Sequence, residues 1–235
     1  MSLDALFFGA HPDDVELTSG GLAALLASHG HPVGIVDLTR GEMGSRGTPE
    51  ERARESEAAA KALGVARRMS LELPDLGLDR RDPAQLRAVV ACLREHRPTL
   101  VVAPERRDRH PDHVEASHLV SRACYLAGLA RFDAPGERMR PRRLLFALYR
   151  AGAPAHLVVD VTPVWERRRA ALLQHGSQLG PGSGPETYLT DPGFLAEIEA
   201  RARVLGSSIG VGFGEGYRVS GPVGIHDARA LLESR

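Results

Sequence analysis

The sequence alternates short apolar segments with longer segments in which apolar residues recur every three or four positions. Segments of the first kind favour strands and those of the second favour helices, and their alternation is typical of an α/β chain with a largely parallel sheet. The predicted strands cover residues 3–9, 33–38, 69–73, 100–103, 144–149 and 157–161. We therefore predict an α/β fold in which most strands run parallel and are joined by helices.

Helix signals and glycine-rich segments divide the rest of the chain. Helices are expected to begin after Thr48 and Asp82, because each is followed by a proline and then by an acceptor at the third helical position. Gly64 is expected to end the first of them. The Gly-, Pro- and Ser-rich segment 176–192 predicts a surface loop that is able to cover a site. The glycine-rich segment 210–224 predicts an irregular or hairpin segment against the body of the protein.

The length and composition favour one domain, which we assign to residues 1–235. With 43% hydrophobic residues, the chain is long enough to bury one good core. No segment has the composition of a linker between domains, and no internal repeat is present.

The charge balance and the cysteines restrict the partners and the compartment. Thirty basic and 30 acidic residues give no net charge, so we expect neither nucleic acid nor a membrane as a partner. The two cysteines, Cys92 and Cys124, form no CxxC pair, which favours a reducing compartment. The N-terminal residues do not resemble a signal peptide, and no run of about 18 apolar residues occurs. The expected location is the cytoplasm.

A polar cluster at residues 11–14, His-Pro-Asp-Asp, follows the first predicted strand directly. Ligands bind beyond the carboxyl ends of the strands in open parallel sheets, so this cluster is expected at the functional edge. The same residues also fit a plain polar turn in which Asp14 caps the next helix. A second cluster at residues 109–113, Arg-His-Pro-Asp-His, follows the fourth predicted strand and favours the functional interpretation.

The two clusters together supply a ligand set for zinc. Catalytic zinc sites have three protein ligands and leave one position open. His11 and Asp14 are three residues apart, and His113 comes from the opening turn of another helix, so the three satisfy that count. We predict a divalent-metal site here, with Zn²⁺ as the first choice and another ion such as Fe²⁺ as the alternative in the cell.

Three further residues of the clusters are assigned to the chemistry. Asp13 is the candidate general base for a water activated by the metal, and His110 the candidate imidazole that stabilises an oxyanion and protonates a leaving amine. Asp112 is assigned to orient His110 without binding the metal. The alternatives are that His110 only flanks the helix start and that Asp112 only complements the helix dipole.

The chain resembles the PIG-L/LmbE-like zinc N-deacetylases through two motifs, Gly-Ala-His-Pro-Asp-Asp at residues 9–14 and His-Pro-Asp-His at residues 110–113. Residues 37–44, 46–50 and 199–203 resemble the branch that deacetylates N-acetylglucosaminyl malate in bacillithiol biosynthesis. The resemblance covers nearly the whole chain, and it is more specific for the superfamily than for the branch.

The resemblance implies a Rossmann-like sheet with helices on both faces and the metal at the C-terminal ends of the strands. It carries over His11, Asp14 and His113 as zinc ligands, Asp13 as the base and His110 as the acid that stabilises the oxyanion. The implied substrate is a small N-acetylglucosamine conjugate. The implied assembly is a homo-oligomer, with a hexamer as the expected form.

The resemblance also suggests substrate contacts. Arg52 and Asp75 are expected to contact the sugar, and Arg46 and Arg109 are candidate partners for a malate carboxylate, since a guanidinium grips a carboxylate bidentately. For each arginine the alternative is a solvated side chain. Phe194 stands in the region where some relatives have a tyrosine, so no catalytic tyrosine is assigned.

Three alternative functions stay open from the sequence. The first is a deacetylase of another N-acetylglucosamine conjugate, of the mycothiol-precursor or chitobiose type. The second is a non-haem iron oxygenase, because two histidines and a carboxylate also form the facial triad that binds iron. The third is a sugar-binding module without catalysis; its dinucleotide-binding version is weak because no GxGxxG follows the first strand.

Overall fold

The structure is a computed structural model that describes residues 2–150, 152–180, 184–224 and 229. The strands are β1 (Ala5–Gly9), β2 (Val33–Thr39), β3 (Arg67–Leu73), β4 (Leu100–Pro104), β5 (Arg143–Ala147), β6 (Leu157–Asp160) and β7 (Gly214–Val219). The helices are α1 (Asp14–Thr18), α2 (Gly20–Ser28), α3 (Pro49–Leu63), α4 (Pro83–His96), α5 (Pro111–Leu126), α6 (Trp165–Leu172), α7 (Gly176–Leu179) and α8 (Phe194–Ser207).

All seven strands belong to one sheet, in the order β3-β2-β1-β4-β5-β7-β6. The first five run parallel, whereas β7 is antiparallel to both β5 and β6. The chain moves outward from β1 to β3 and then returns to place β4 on the other side of β1. The strand order therefore reverses between β1 and β4, which is where open α/β sheets bind their ligands.

Two hydrophobic clusters cover the two faces of the sheet. Leu6 and Phe8 of β1 pack with α4 and α5 on one face, whereas Ala5 and Phe7 pack with α2, α3, α6 and α8 on the other. Successive strand residues point to opposite faces, so a strand that is covered on both sides is apolar throughout. The predicted α/β sheet, largely parallel and with helices on both faces, is confirmed.

The six predicted strands and both predicted helix starts are present, with boundaries that differ by no more than two residues. Thr48 accepts a hydrogen bond from the Glu51 N–H at 3.1 Å, and Asp82 accepts one from the Ala84 N–H at 2.7 Å. Gly64 ends α3 in the left-handed region, with φ of 75°. These features depend on neighbouring residues alone, which is why the sequence pattern finds them.

The C-terminal segment differs in part from its prediction. The predicted irregular or hairpin segment 210–224 contains β7, which lies inside the sheet between β5 and β6, and only the residues on either side of this strand are irregular. A Cβ atom on Gly214 would lie 2.8 Å from the Gly206 N atom of α8. One on Gly216 would lie 3.2 Å from the Leu205 side chain. The glycines that suggested a loop are thus required by a helix that packs directly on the strand.

The Gly- and Pro-rich segment 176–192 lies beside the body of the protein, and its residues 181–183 are outside the described part. It contains α7 and a short 3₁₀ turn, Tyr188–Thr190. Helix α1, which follows the His-Pro-Asp-Asp cluster at once, is an additional element that the apolar pattern did not predict. In the described part of the chain, every helix is too short or too polar to span a bilayer.

Candidate metal centre and active site

A cavity lies at the point where the strand order reverses. Its volume is about 530 Å³, and its wall contains residues that follow β1, β3, β4 and β5 together with residues of α1 and α8. Because β1 and β4 are parallel neighbours, residues 11–14 and 109–113 meet at the same edge of the sheet. The two polar clusters therefore form one site, as the sequence predicted.

The turn between β1 and α1 has a conformation that sets its two carboxylates apart. Asp13 has φ of 104°, a left-handed value that is uncommon for a residue with a side chain. The Asp14 Oδ2 atom accepts a hydrogen bond from the His11 N–H at 2.8 Å and is thereby fixed toward the histidine. Such a backbone outlier costs free energy and is typical of functional sites.

His11 lies between carboxylates on both sides of its ring. Its Nδ1 atom is 3.6 Å from Asp14 Oδ2. Its Nε2 atom is 3.0 Å from Asp75 Oδ1 and 3.5 Å from Asp112 Oδ2. A proton on Nε2 is thus shared with the outer carboxylates, which leaves the Nδ1 lone pair facing Asp14. This is the arrangement of a metal-binding histidine, whose other N–H donates to a carboxylate.

His113 repeats this arrangement in the opposite orientation. Its Nε2 atom lies 3.3 Å from Asp14 Oδ1, and its Nδ1 atom lies 3.3 Å from Asp108 Oδ1. In His113, Nδ1 faces a carboxylate as Nε2 does in His11. The Nε2 atom of His113 faces Asp14 as Nδ1 of His11 does. Asp14 therefore lies between two imidazole rings, and the other nitrogen of each ring faces a second carboxylate.

The distances from Asp14 to the two histidines are close to the spacing of ligands around a tetrahedral zinc ion. Two ligands at about 2.0–2.1 Å from a tetrahedral ion lie roughly 3.3 Å apart. The His11–Asp14 and His113–Asp14 distances are 3.6 and 3.3 Å. Other donor groups also approach one another, since His110 lies near both histidines and Asp75 and Asp112 lie near His11. We favour Asp14, because it lies between a nitrogen of His11, at 3.6 Å, and a nitrogen of His113, at 3.3 Å.

In this cluster the carboxylates stabilise the protonated histidines, and the histidines stabilise the ionised form of Asp14. Burial would lower the pKa of His11, but hydrogen bonds to Asp112 and Asp75 outweigh it and raise the pKa to about 10. Burial likewise opposes protonation of His113, whose pKa rises to about 9 because of Asp14 and Asp108. The two histidines hold the pKa of Asp14 well below its usual range, against the effect of burial. A bound cation would take the place of the protons that His11 and His113 carry.

Asp13 has a different environment from its neighbour. Burial raises its pKa to about 6, and the charge of Arg52, 3.5 Å from Asp13 Oδ2, limits the rise. A carboxyl group with a pKa near the working pH is suited to accept and return a proton. Arg52 itself donates to the Pro12 carbonyl at 2.7 Å and to the Gly41 carbonyl at 3.0 Å. The arginine thus fixes the turn that carries Asp13.

The surroundings of His110 disfavour its protonated form, although Asp14 and Asp112 oppose this effect. Its Nδ1 atom accepts a hydrogen bond from the Asp112 N–H at 3.2 Å, so the neutral ring carries its proton on Nε2. Burial and the charges of His113 and His11 lower the pKa of His110. The Asp112 carboxylate instead accepts from the Leu76 N–H at 2.7 Å and faces His11. Asp112 thus contacts His110 through its backbone N–H, whereas its carboxylate faces His11.

Of the four residues that were predicted to contact substrate, three line the cavity and one does not. Arg52, Asp75 and Arg109 line the cavity, and Asp75 is engaged with His11. Arg109 is exposed, and its guanidinium carbon lies 4.6 Å from the centre of the Tyr188 ring. Arg46 lies elsewhere: its guanidinium donates to the carbonyls of Ser177, Gly180 and Pro185 at 2.8–3.2 Å. It supports segment 176–192, and the structure does not bring it to the cavity.

Two residues of the site were missed by the sequence analysis. Asp108, which faces His113, comes two residues before the second motif. Tyr149 follows β5, and its ring centre is 4.4 Å from that of His113. Burial, with the charge of Asp14, raises the pKa of Tyr149. Because β5 is the neighbour of β4, inspection of the residues just beyond this strand would have identified the tyrosine.

Comparison with known proteins agrees with this site. The family model described as "PIG-L: GlcNAc-PI de-N-acetylase" matches residues 6–124, about half of the chain, and this range contains both motifs. The chain belongs to the PIG-L family. It is therefore an N-deacetylase, a hydrolase that cleaves an acetamide.

Relatives extend the similarity over most of the chain. A 1D-myo-inositol 2-acetamido-2-deoxy-alpha-D-glucopyranoside deacetylase from Rhodococcus opacus is 28% identical, over 79% of this chain and 85% of the relative. The crystal structure of the conserved protein TT1542 from Thermus thermophilus has a TM-score of 0.87 and 38% identity, and covers 95% of this chain and 97% of that protein. The N,N'-diacetylchitobiose deacetylase from Pyrococcus horikoshii, at 24% identity, shares the fold with a TM-score of 0.79, over 92% of this chain and 82% of its own.

Proposed function

We propose that this PIG-L protein is a zinc-dependent deacetylase of a small N-acetylglucosamine conjugate. The observation that carries the proposal is the arrangement around Asp14, where two inward-facing histidine nitrogens are each supported by an outer carboxylate. Asp13 lies next to this ligand set and is free of it. A structural zinc site uses four protein ligands, whereas three ligands with a free carboxylate beside them suit hydrolysis.

The chain's own residues supply the proton transfers. A divalent ion, when held by His11, Asp14 and His113, polarises the amide carbonyl and lowers the pKa of a nearby water. Asp13 accepts the proton of the attacking water as the new C–O bond forms. The Nε2–H of His110 stabilises the oxyanion. The C–N bond then breaks, and the proton that Asp13 accepted from the water passes to the leaving nitrogen. The products are acetate and a free amine.

The aglycone of the conjugate has two candidates. The named Rhodococcus relative acts on an inositol conjugate, and its similarity over most of the chain supports this aglycone. The expected substrate in the sequence analysis was the malate conjugate, which the named relatives do not support. One observation still favours it as a second candidate: the exposed guanidinium of Arg109 lines the cavity and is available to a carboxylate.

A product assay tests the proposal. Zinc-loaded protein is incubated with the inositol conjugate, the malate conjugate and free N-acetylglucosamine, and acetate and primary amine are measured. We expect both products in equal amounts from at least one conjugate, with or without oxygen. Release that requires oxygen would indicate the iron oxygenase, and a conjugate that binds but stays intact would indicate a binding module. The cytoplasmic location and the homo-oligomer stay predictions.

A further inference from the structure

Three large apolar side chains are exposed around the mouth of the catalytic cavity. Met43 is 61% exposed, Leu76 59% and Tyr188 44%, and all three line the cavity that holds the His and Asp cluster. We call these three residues the apolar lip. Single exposed apolar residues are ordinary, but several around one concave site are typical of a surface that binds a ligand.

Leu76 has a backbone conformation that makes its identity informative. Its φ is 58°, in the left-handed region, where a bulky side chain is a conformational outlier. Glycine or asparagine adopts this conformation at lower cost. A leucine that is both strained and exposed gains little from folding. Its side chain is therefore best explained by a contact made outside the folded chain.

Met43 and Leu76 are fixed relative to the catalytic cluster. The Met43 N–H donates to Asp75 Oδ2 at 2.9 Å, and the Leu76 N–H donates to Asp112 Oδ2 at 2.7 Å. These are the two carboxylates that face His11 Nε2. The Asp75 and Asp112 carboxylates, which orient His11, thus also fix the positions of Met43 and Leu76 relative to the catalytic cluster.

Tyr188 is fixed by charged residues. Its hydroxyl donates to Glu197 and accepts from Arg201, and Arg109 covers one face of its ring. Phe194 meets the ring edge to face, with centres 5.2 Å apart. The exposed part of this ring is consequently presented to the cavity by a rigid frame.

We propose that the apolar lip binds the aglycone, and that the enzyme also deacetylates N-acetylglucosamine conjugates whose aglycone is an aryl or alkyl group. This inference rests on the proposed function, which places the acetamide at the His and Asp cluster and directs the rest of the conjugate to the mouth. An inositol or malate group makes little use of Met43, Leu76 and Tyr188. An apolar aglycone that contacts these side chains removes apolar surface from water.

The first test compares the methyl, butyl and phenyl α-glycosides of N-acetylglucosamine as substrates of the zinc-loaded protein. We expect kcat/KM for the phenyl glycoside to exceed that for the methyl glycoside by about tenfold, with the butyl glycoside between them. Equal values for all three overturn the inference and leave the proposed function intact.

A binding experiment tests the lip without catalysis. Phenyl and methyl α-glucosaminide, which carry no acetyl group, are titrated into the metal-free protein by calorimetry. The phenyl compound is expected to bind about tenfold more tightly. If no glycoside releases acetate, the proposed function fails, and this comparison still decides about the lip: equal affinities overturn it.

Leu76→Asn distinguishes a binding role from a structural one. Asparagine tolerates the left-handed conformation, so the midpoint of thermal unfolding is expected to stay or rise, while the phenyl-to-methyl ratio of kcat/KM falls toward one. The control is Val204→Asn, which changes a 69% exposed apolar residue of α8 that does not line the cavity. It is expected to preserve the ratio. A lower midpoint with an unchanged ratio for Leu76→Asn would show that the leucine serves the fold, and would overturn the proposal.

Discussion

Two of the buried carboxylates of this protein, Asp14 and Glu215, have different hydrogen-bond environments. In the strand-end cluster of His11, Asp13, Asp14 and His113, oxygens of Asp14 face imidazole nitrogens across 3.3–3.6 Å. In a second group, which we call the Glu215 network, the carboxylate of Glu215 is surrounded by donors of the protein itself. The Asp14 carboxylate accepts from the His11 N–H and otherwise faces imidazole nitrogens, whereas both oxygens of Glu215 are engaged by backbone, hydroxyl or guanidinium donors.

The Glu215 network joins the last strand to a helix of the N-terminal half. Glu215 accepts from the Gly21 N–H at 2.7 Å and the Leu22 N–H at 2.8 Å, which belong to the first turn of α2. The Tyr217 hydroxyl donates to it at 2.8 Å, and Arg168 lies 3.1 Å away. A carboxylate at a helix N-terminus satisfies donors that have no partner within the helix. The network therefore stabilises the packing of β7 against α2. Its carboxylate oxygens are all engaged, so none is available to a ligand.

The contrast gives a rule for buried acidic residues. A carboxylate whose oxygens are all occupied by protein donors holds the fold together. A carboxylate between two imidazole nitrogens needs a positive charge beside it, which either protons on the rings or a metal cation supplies. The predictions below test this distinction, beginning with the largest expected effect.

Replacing the proton acceptor is expected to give the largest change. Asp13→Asn keeps the size of the side chain and tolerates the positive φ, but it cannot accept a proton from water. We expect acetate release to fall by about 10²- to 10⁴-fold, while the zinc content stays at the wild-type level. Zinc content is measured on the same preparation, and loss of zinc instead of turnover would mean that Asp13 is a ligand.

Breaking the Glu215 network is expected to affect stability and not chemistry. Glu215→Ala leaves Arg168 buried without its partner, and we expect the free energy of unfolding to fall by about 3–5 kcal/mol in urea denaturation. Glu215→Gln retains one carbonyl acceptor and should lose less. The folded fraction of either variant should bind zinc normally. Weakened zinc binding by the folded protein would contradict the separation of the two groups.

The outer carboxylates are expected to tune the metal site. Asp75→Asn and Asp108→Asn remove the charges behind His11 and His113, and each should weaken zinc affinity by about 10- to 100-fold in a competition with a chelator. The control is Asp133→Asn, which alters a side chain that is 96% exposed. Unchanged affinity in both site variants would show that these carboxylates support the loops alone.

The smallest effect is expected at Arg46. Arg46→Ala removes the donors to Ser177, Gly180 and Pro185, and segment 176–192 supplies Thr187 and Tyr188 to the cavity wall. We expect KM to rise by about three- to fivefold, equivalent to roughly 1 kcal/mol, with little change in kcat. The rise should be similar for the inositol and malate conjugates. A rise confined to the malate conjugate would restore the role that the sequence analysis gave to this arginine.

The sequence predicts the parts of this protein that depend on neighbouring residues. Apolar periodicity locates six strands, Thr48 and Asp82 mark helix starts, and the two motifs mark the ends of β1 and β4. Parallel strands bring their carboxyl ends to one edge, so the meeting of the motifs also follows from the pattern. For β7 the pattern fails, because Gly214 and Gly216 are required by the close packing of α8 on the strand and not by the residues next to them in the sequence.

The tertiary structure alone decides which groups face His11 from outside its own motif. His11 pairs with Asp75, 64 positions away, and Glu215 pairs with Gly21, 194 positions away. Local patterns carry no information about such distances, which are set by the crossover connections and by the packing of helices on the sheet. The sequence by itself thus determined the ligand types and the sheet edge where they meet. Folding decided the orientation of the His11 imidazole, because that depends on Asp75 and Asp112 from remote parts of the chain.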